Sequence, residues 1–165
     1  MGRRQELEKR QSLLARFGRM VAAETRLDAL LTIIAEEVRN ILSADRCSVF
    51  LVDPYKGELW TKVALGMEEK VLRIPLGQGI AGFVARTGSA VNIRDAYKDT
   101  RFAQDLDRIT GYQTRTVLAV PLRGRDGKAL GVFEVLNKSK GAFTEEDEGL
   151  LRILATMAAS FIENA

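Results

Sequence analysis

The sequence of 165 residues contains no histidine. That absence excludes Ser-His and Cys-His catalysis, His-ligated zinc and His-ligated haem at once. Cysteine is nearly absent too: Cys47 stands alone, so there is no intrachain disulfide, no Cys-Cys metal spacing and no resolving thiol. Its place inside "RCSVFLV" reads as a small buried hydrophobe rather than a reactive thiol. Nor does any apolar stretch approach the roughly 18 residues a membrane span needs. The N-terminal "MGRRQELEKRQ" is charged and has no apolar stretch behind it, so the expectation is a cytoplasmic chain with no membrane segment.

Charge of one sign is scarce in the body of the chain. Of 25 basic and 22 acidic residues, seven basic and three acidic ones precede Leu27, which leaves the first 26 residues at +4 and the remainder at −1. A near-neutral body with a basic helical arm lacks the concentrated basic face, interleaved with aromatics, that nucleic-acid binding requires. With 46% apolar residues, the chain can bury an ordinary globular core.

Periodicity organises that core. Leu7, Leu14 and Val21, with Phe17 between them, make a narrow heptad-like stripe over residues 5–24, and such a stripe needs a partner. Thr25 is placed to cap a second helix, with Asp28 three residues on, in which Leu27, Leu30, Leu31, Ile34, Val38, Ile41 and Leu42 recur at three-to-four spacing. From Arg46 the period becomes that of a strand. "CSVFLVD" and "ELWTKVAL" flank a Pro54–Gly57 turn, "KVLRIPL" is a third strand stopped by Pro75, and "AVNI" is a short fourth. A glycine-opened helix follows Gly77, and another is expected near 102–110. "TRTVLAVPLRG" and "ALGVFEVLN" form a hairpin around Asp126-Gly127. Thr144 caps a last helix whose apolar surface is wide enough to meet a second chain or the first helix as well as the core. Helices at both ends of a hairpin-rich strand region specify an α+β fold with an antiparallel sheet. Both ends are helical without a stop, as in a module cut from a longer protein.

Few residues can carry chemistry. "GQGIAG", Gly77 to Gly82, satisfies G-x-G-x-x-G, but the flanking elements are not a βαβ unit, so a dinucleotide fold is rejected. What remains is a helix start near Ile80 whose free N–H groups and positive dipole end suit a phosphate, or else merely a tight turn into a helix. Glu134 alternates into an apolar strand between Val132 and Leu136, where an unpaired carboxylate is costly. Either a cation of the same chain meets it, or that face opens into a cavity where a ligand donates to it. Ser48 is a second polar group in an apolar strand. Asp107, Thr110, Thr114 and Thr116 gather around Gly111 at a helix-to-strand junction, as pocket lining or as turn residues.

Together "CSVFLVD", "IPLGQGIAGFVARTG", "VNIRDAY", "TGYQTR", and above all Asn137-Lys138 followed by Phe143, three residues, and Asp147-Glu148, resemble a GAF domain of the cyclic-nucleotide-binding type found in phosphodiesterases and adenylyl cyclases. The resemblance runs from about Leu27 to Ile162. It implies a GAF fold: a central antiparallel sheet with the terminal helices on one face and short helices over a ligand pocket on the other. Residues 1–26 would be a coiled-coil-like linker and 27–165 the domain, leading to an output domain downstream.

The resemblance further implies no catalytic activity, no metal and no cofactor. The ligand would be cAMP or cGMP, and the partner a second copy joined through the terminal helices. The backbone of Ile80 and Ala81 would hold the cyclic phosphate, and Ser48, Asp107, Thr110, Thr114 and Glu134 would surround base and ribose. Asn137, Lys138, Phe143, Asp147 and Glu148 would form a structural latch, with Lys138 pairing Asp147. Leu65 and Ala103 stand where a cGMP-binding relative has an aspartate and a tyrosine, which favours cAMP. A methionine-sulfoxide reductase of similar fold needs cysteines beyond Cys47.

Overall fold

The computed structural model describes residues 2–5, 7–8, 10–12, 14–15, 26–65 and 72–164. Helix α1 (Leu27–Ile41) buries the stripe Leu30, Leu31, Ile34, Ala35, Val38 and Ile41. Its N-cap position is Arg26, with no capping side chain; the expected cap, Thr25, lies outside the described residues. Strands β1 (Ala44–Asp53) and β2 (Glu58–Leu65) form the expected hairpin. Asp53 sets its turn by accepting from the amides of Tyr55 and Lys56, and Gly57 takes a φ of 64°.

Strand β3 (Arg73–Pro75) is shorter than expected. It is an edge strand, where proline removes no ladder bond that the sheet needs. Helix α2 (Gly79–Thr87) and β4 (Val91–Ile93) follow, then a 3-10 turn at Ala96–Lys98. Helix α3 (Asp105–Thr110) starts later than the expected 102 and ends at Gly111, whose φ of 77° closes the last turn. Strands β5 (Val117–Arg123) and β6 (Ala129–Lys138) pair around Asp126-Gly127, and α4 (Glu145–Glu163) closes the fold.

The six strands pair antiparallel throughout, in the order β3-β2-β1-β6-β5-β4. Alternation splits the sheet into two faces. Cys47, Val49, Leu118, Val120, Phe133 and Val135 pack against α1 and α4. Phe50, Val117, Ala119 and Val132 face the other way, onto Ile80, Ala81 and Val84 of α2. The α+β architecture, with terminal helices on one face and short helices on the other, is therefore present.

One irregularity matters for the site. The β1–β2 register shifts between Val49 and Phe50, so that Phe50 faces Thr61 while Val49 faces Val63. A one-residue shift turns every following side chain to the opposite face. Val63 and Leu65 consequently join the helix-covered core, and Ala64 is the β2 residue opposite Ser48.

At the N-terminus the described residues between 3 and 15 are helical. Leu14 packs on the helix-covered core, whereas Leu7 is 43% exposed. Val21 and Phe17 of the heptad-like stripe lie outside the described residues.

Candidate functional site

Between the sheet and the short helices lies a cavity of about 340 Å³, at the small end of the range for small-molecule sites. Its floor is built by period-2 alternation. Arg46, Ser48 and Phe50 of β1 point into it, and Leu136 and Glu134 of β6 stand opposite Arg46 and Ser48. Its lid is the start of α2, from Gln78 to Ala81, together with Phe102 and Ala103. Asp107 and Thr114 form one wall, and Thr61 and Arg73 the far end.

The start of α2 has the properties the glycines imply. Gly79 adopts a φ of 67°, and Gln78 offers no side-chain cap, so the first-turn amides have no intrahelical or capping acceptor. A Cβ on Gly82 would sit 3.0 Å from the Pro75 carbonyl oxygen, so a glycine here lets the turn and the helix approach each other.

Glu134 sits across from Ser48 on β1 and Ala119 on β5. Among the described residues no hydrogen bond or ion pair reaches its carboxylate, and burial raises its pKa from 4.5 to about 7. Among the described residues the Ser48 hydroxyl has no protein partner either, although the residue is only 5% exposed. Of the two options left open by the sequence, an internal cation or a cavity, the described residues give Glu134 the cavity. Arg46 stacks its guanidinium 3.4 Å from the centre of the Tyr112 ring and donates to no acceptor among the described residues. Arg46 was missed in the sequence, although it shares the parity of Ser48 and so had to share its face.

Asp107 lines the cavity but is already engaged. It accepts from Tyr97 Oη (2.7 Å), the Thr114 amide (2.8 Å) and Thr114 Oγ1 (2.9 Å). The hydrogen bond to Asp107 raises the Tyr97 pKa. Thr110 does not line the cavity; it is exposed, and its hydroxyl accepts from the Tyr112 amide. Thr110 is the last residue of α3, one turn past Asp107 and exposed beyond the cavity's edge, so of the seven ligand-facing residues named from the sequence six border the cavity. The seventh is a turn residue.

The latch residues divide between two tasks. Asn137, at a φ of 57°, faces the loop between α3 and β5. Its Oδ1 accepts from the amides of Arg115 and Thr116, and its Nδ2 donates to Tyr112 Oη and the Gln113 carbonyl. All its hydrogen-bonding capacity is used on that loop. Lys138 pairs with Asp147, which is fully buried and also closes a capping box with Thr144. The Phe143 ring lies beside this pair, with Lys138 Nζ 5.8 Å from its centre, and its carbonyl accepts from Asn92.

Asp147 has a third partner not expected from the sequence: Arg10 Nη2 donates to its Oδ1 at 2.9 Å. Burial alone would raise the Asp147 pKa, but Lys138, the Thr144 amide and Arg10 outweigh it and hold the carboxyl below its usual range. Arg10 Nε is buried without an acceptor, a cost of about 1–3 kcal/mol. Glu148 takes no part in the latch and pairs instead with Arg152 one turn along α4.

Other chemistry finds no support. Burial pushes the Cys47 thiol up, away from thiolate character. Among the described residues no group of three or more acidic or cysteine side chains could hold a metal, and no helix is long and apolar enough to cross a membrane.

Against known proteins, the sequence model of the GAF domain family matches residues 26–162. A dual 3′,5′-cyclic-AMP and -GMP phosphodiesterase 11A of Takifugu rubripes is 37% identical over 138 residues, covering 76% of this chain and 15% of that protein. A cGMP-specific 3′,5′-cyclic phosphodiesterase of Drosophila sechellia is 35% identical over 164 residues, covering 89% and 14%. The chain thus spans about a seventh of the length of these curated relatives. Among solved structures, the GAF domain of a phosphoenolpyruvate-protein phosphotransferase from Coxiella burnetii superposes with a TM-score of 0.86 at 25% identity, covering 94% of each chain. A free methionine-R-sulfoxide reductase from Neisseria meningitidis has a TM-score of 0.80 at 24% identity, covering 93% of this chain and 88% of that one, a likeness of fold alone.

Proposed function

Because the chain belongs to the GAF domain family, we propose that it is the regulatory sensor segment of a larger cytoplasmic signalling protein, binding a 3′,5′-cyclic nucleotide in the cavity between sheet and short helices. The carrying observation is the pairing of opposites across that cavity: uncapped first-turn amides of α2 on one side, and on the other Glu134 and Ser48, which have no partner among the described residues. An unpaired carboxylate and unpaired amides both cost free energy in an empty site. A small molecule with a phosphate at one end and hydrogen-bond donors at the other satisfies both. The names of the related phosphodiesterases point to the same ligand class.

In this reading the amides of Ile80 and Ala81 hold the phosphate, while Ser48, Thr114 and Glu134 meet ribose and base. Arg46 adds a donor that the sequence reading had not included. cAMP is favoured over cGMP. The support is that Ala103, in the lid, offers no side-chain acceptor for guanine N1–H and N2–H. Residues 1–26 serve as a linker helix, the terminal helices join two copies, and occupancy is relayed to an output domain downstream.

Thermal melts with each nucleotide test this directly. Ligand at about 100 Kd stabilises by roughly 2.7 kcal/mol, which for a chain of this size raises the melting temperature by about 5–10 °C. Calorimetry then ranks cAMP against cGMP. No shift with either would remove the nucleotide reading and leave a GAF module for dimerisation or for a different small ligand.

A further inference from the structure

We propose that Arg10 is a positioning residue for the cavity: through Asp147, Lys138 and Asn137 it ties the N-terminal helical segment to the loop that carries Thr114. The ligand-binding half of this inference rests on the cyclic-nucleotide reading above.

The connection is continuous. Arg10 Nη2 donates to Asp147 Oδ1, and Lys138 Nζ donates to the other oxygen of the same carboxylate. The Lys138 amide donates to Thr116 Oγ1 at 2.9 Å, and the preceding residue, Asn137, accepts from the amides of Arg115 (2.6 Å) and Thr116 (3.2 Å). Thr114, one residue earlier, donates its amide and hydroxyl to Asp107 on the cavity wall. Every step from residue 10 to the cavity is a hydrogen bond or a covalent neighbour. A second tie between the described residues of the segment and α4, Arg3 with Glu146, lies at the surface with 83% and 52% exposure, where water screens it.

The contact is also built to be made and released. Asp147 is fully buried and faces two cations, so withdrawing Arg10 leaves the neutral pair Lys138–Asp147 rather than an orphaned charge. The docked arrangement is itself incompletely satisfied, because Arg10 Nε has no acceptor among the described residues. With Arg10 docked, both carboxylate oxygens are held. With Arg10 withdrawn, Oδ1 loses its donor and the carboxylate is held through Oδ2 alone, by Lys138 and the Thr144 amide, which loosens the anchor of Lys138. A segment with two such arrangements can be biased from either end, and the bias is reciprocal: what tightens the loop around Thr114 favours docking of residue 10, and docking favours the ligand-competent loop.

The test uses the 165-residue protein as wild type, Arg10→Met and Arg10→Lys. Methionine keeps the length and apolar packing without a charge; lysine keeps the charge. Hydrogen exchange is followed at the amides of Thr114, Arg115 and Thr116 without nucleotide, with the amides of Val49 and Phe133 in the sheet centre as internal reference. Arg10→Met should speed exchange at the three loop amides by about tenfold and leave the reference unchanged. It should also weaken cAMP binding by about 5–10-fold, and Arg10→Lys should restore a large part of both. Unchanged loop exchange in Arg10→Met, or equal acceleration in both variants, overturns the proposal. If the wild type binds neither nucleotide, the ligand reading fails on its own, and the nucleotide-free exchange still decides the role of Arg10.

Discussion

Replacing Glu134 by glutamine should make the nucleotide-free protein more stable at alkaline pH and leave it nearly unchanged at pH 5. The Glu134 carboxyl titrates near 7 in the fold against 4.5 in the unfolded chain, because burial disfavours its charged form. Between those values the folded state holds more protons than the unfolded state, so stability falls as pH rises through the window and the loss is complete above about 7. At about 1.4 kcal/mol per pH unit the gap sets a ceiling of about 3 kcal/mol. The carboxylate borders a cavity that water can enter, which lowers the expected loss to about 1–2 kcal/mol. For a chain of this length that is about 3–6 °C in melting temperature. Melting curves of wild type and Glu134→Gln from pH 4 to 8.5 measure it: the difference should open between about 4.5 and 7 and level off above. With saturating nucleotide the wild-type loss should shrink, since donors on the ligand favour the carboxylate. A difference that does not vary with pH would refute the claim that Glu134 is buried without a partner.

Thr114→Ala and Glu134→Ala should each weaken cAMP binding at least tenfold while circular dichroism remains native; binding that survives both would overturn the pocket assignment. Asn137→Ala removes four hydrogen bonds and places a less suited residue at positive φ, so it should cost about 2–4 kcal/mol in chemical denaturation, with faster exchange in the 112–116 loop. Asp147→Asn should destabilise by roughly 3–5 kcal/mol at neutral pH. Because the Asp147 pKa is depressed in the fold, that deficit should fade as pH falls below the ordinary carboxylate range, an acid titration monitored by fluorescence of the one tryptophan being sufficient to see it. Deleting residues 1–24 should lower the dimer population in sedimentation velocity if the terminal helices join two copies.

Much of the fold is legible in one dimension because its signals are local. The stripe of α1, the Asp126-Gly127 turn, the Thr144 cap and the alternation of β1 and β6 each follow from spacing within a dozen residues. Alternation alone also put Ser48, Arg46 and Phe50 on one face, although only Ser48 was singled out. What spacing and signature left open is where each residue lies relative to the packed fold. The bulge opposite Val49 sets Leu65 on the helix-covered face, Thr110 falls at the exposed end of α3 past the cavity, and Glu148 pairs with Arg152 although the signature places it beside Asp147.

The sequence by itself determined the secondary elements, the antiparallel hairpins and the presence of a carboxylate in an apolar strand, since propensity, caps and period act through neighbours along the chain. Only the tertiary structure decided that Glu134 meets a cavity and, among the described residues, no cation, and that Arg10 reaches the Lys138–Asp147 pair across 137 positions. Burial and charge pairing depend on what packs from distant segments, and no local pattern encodes that distance.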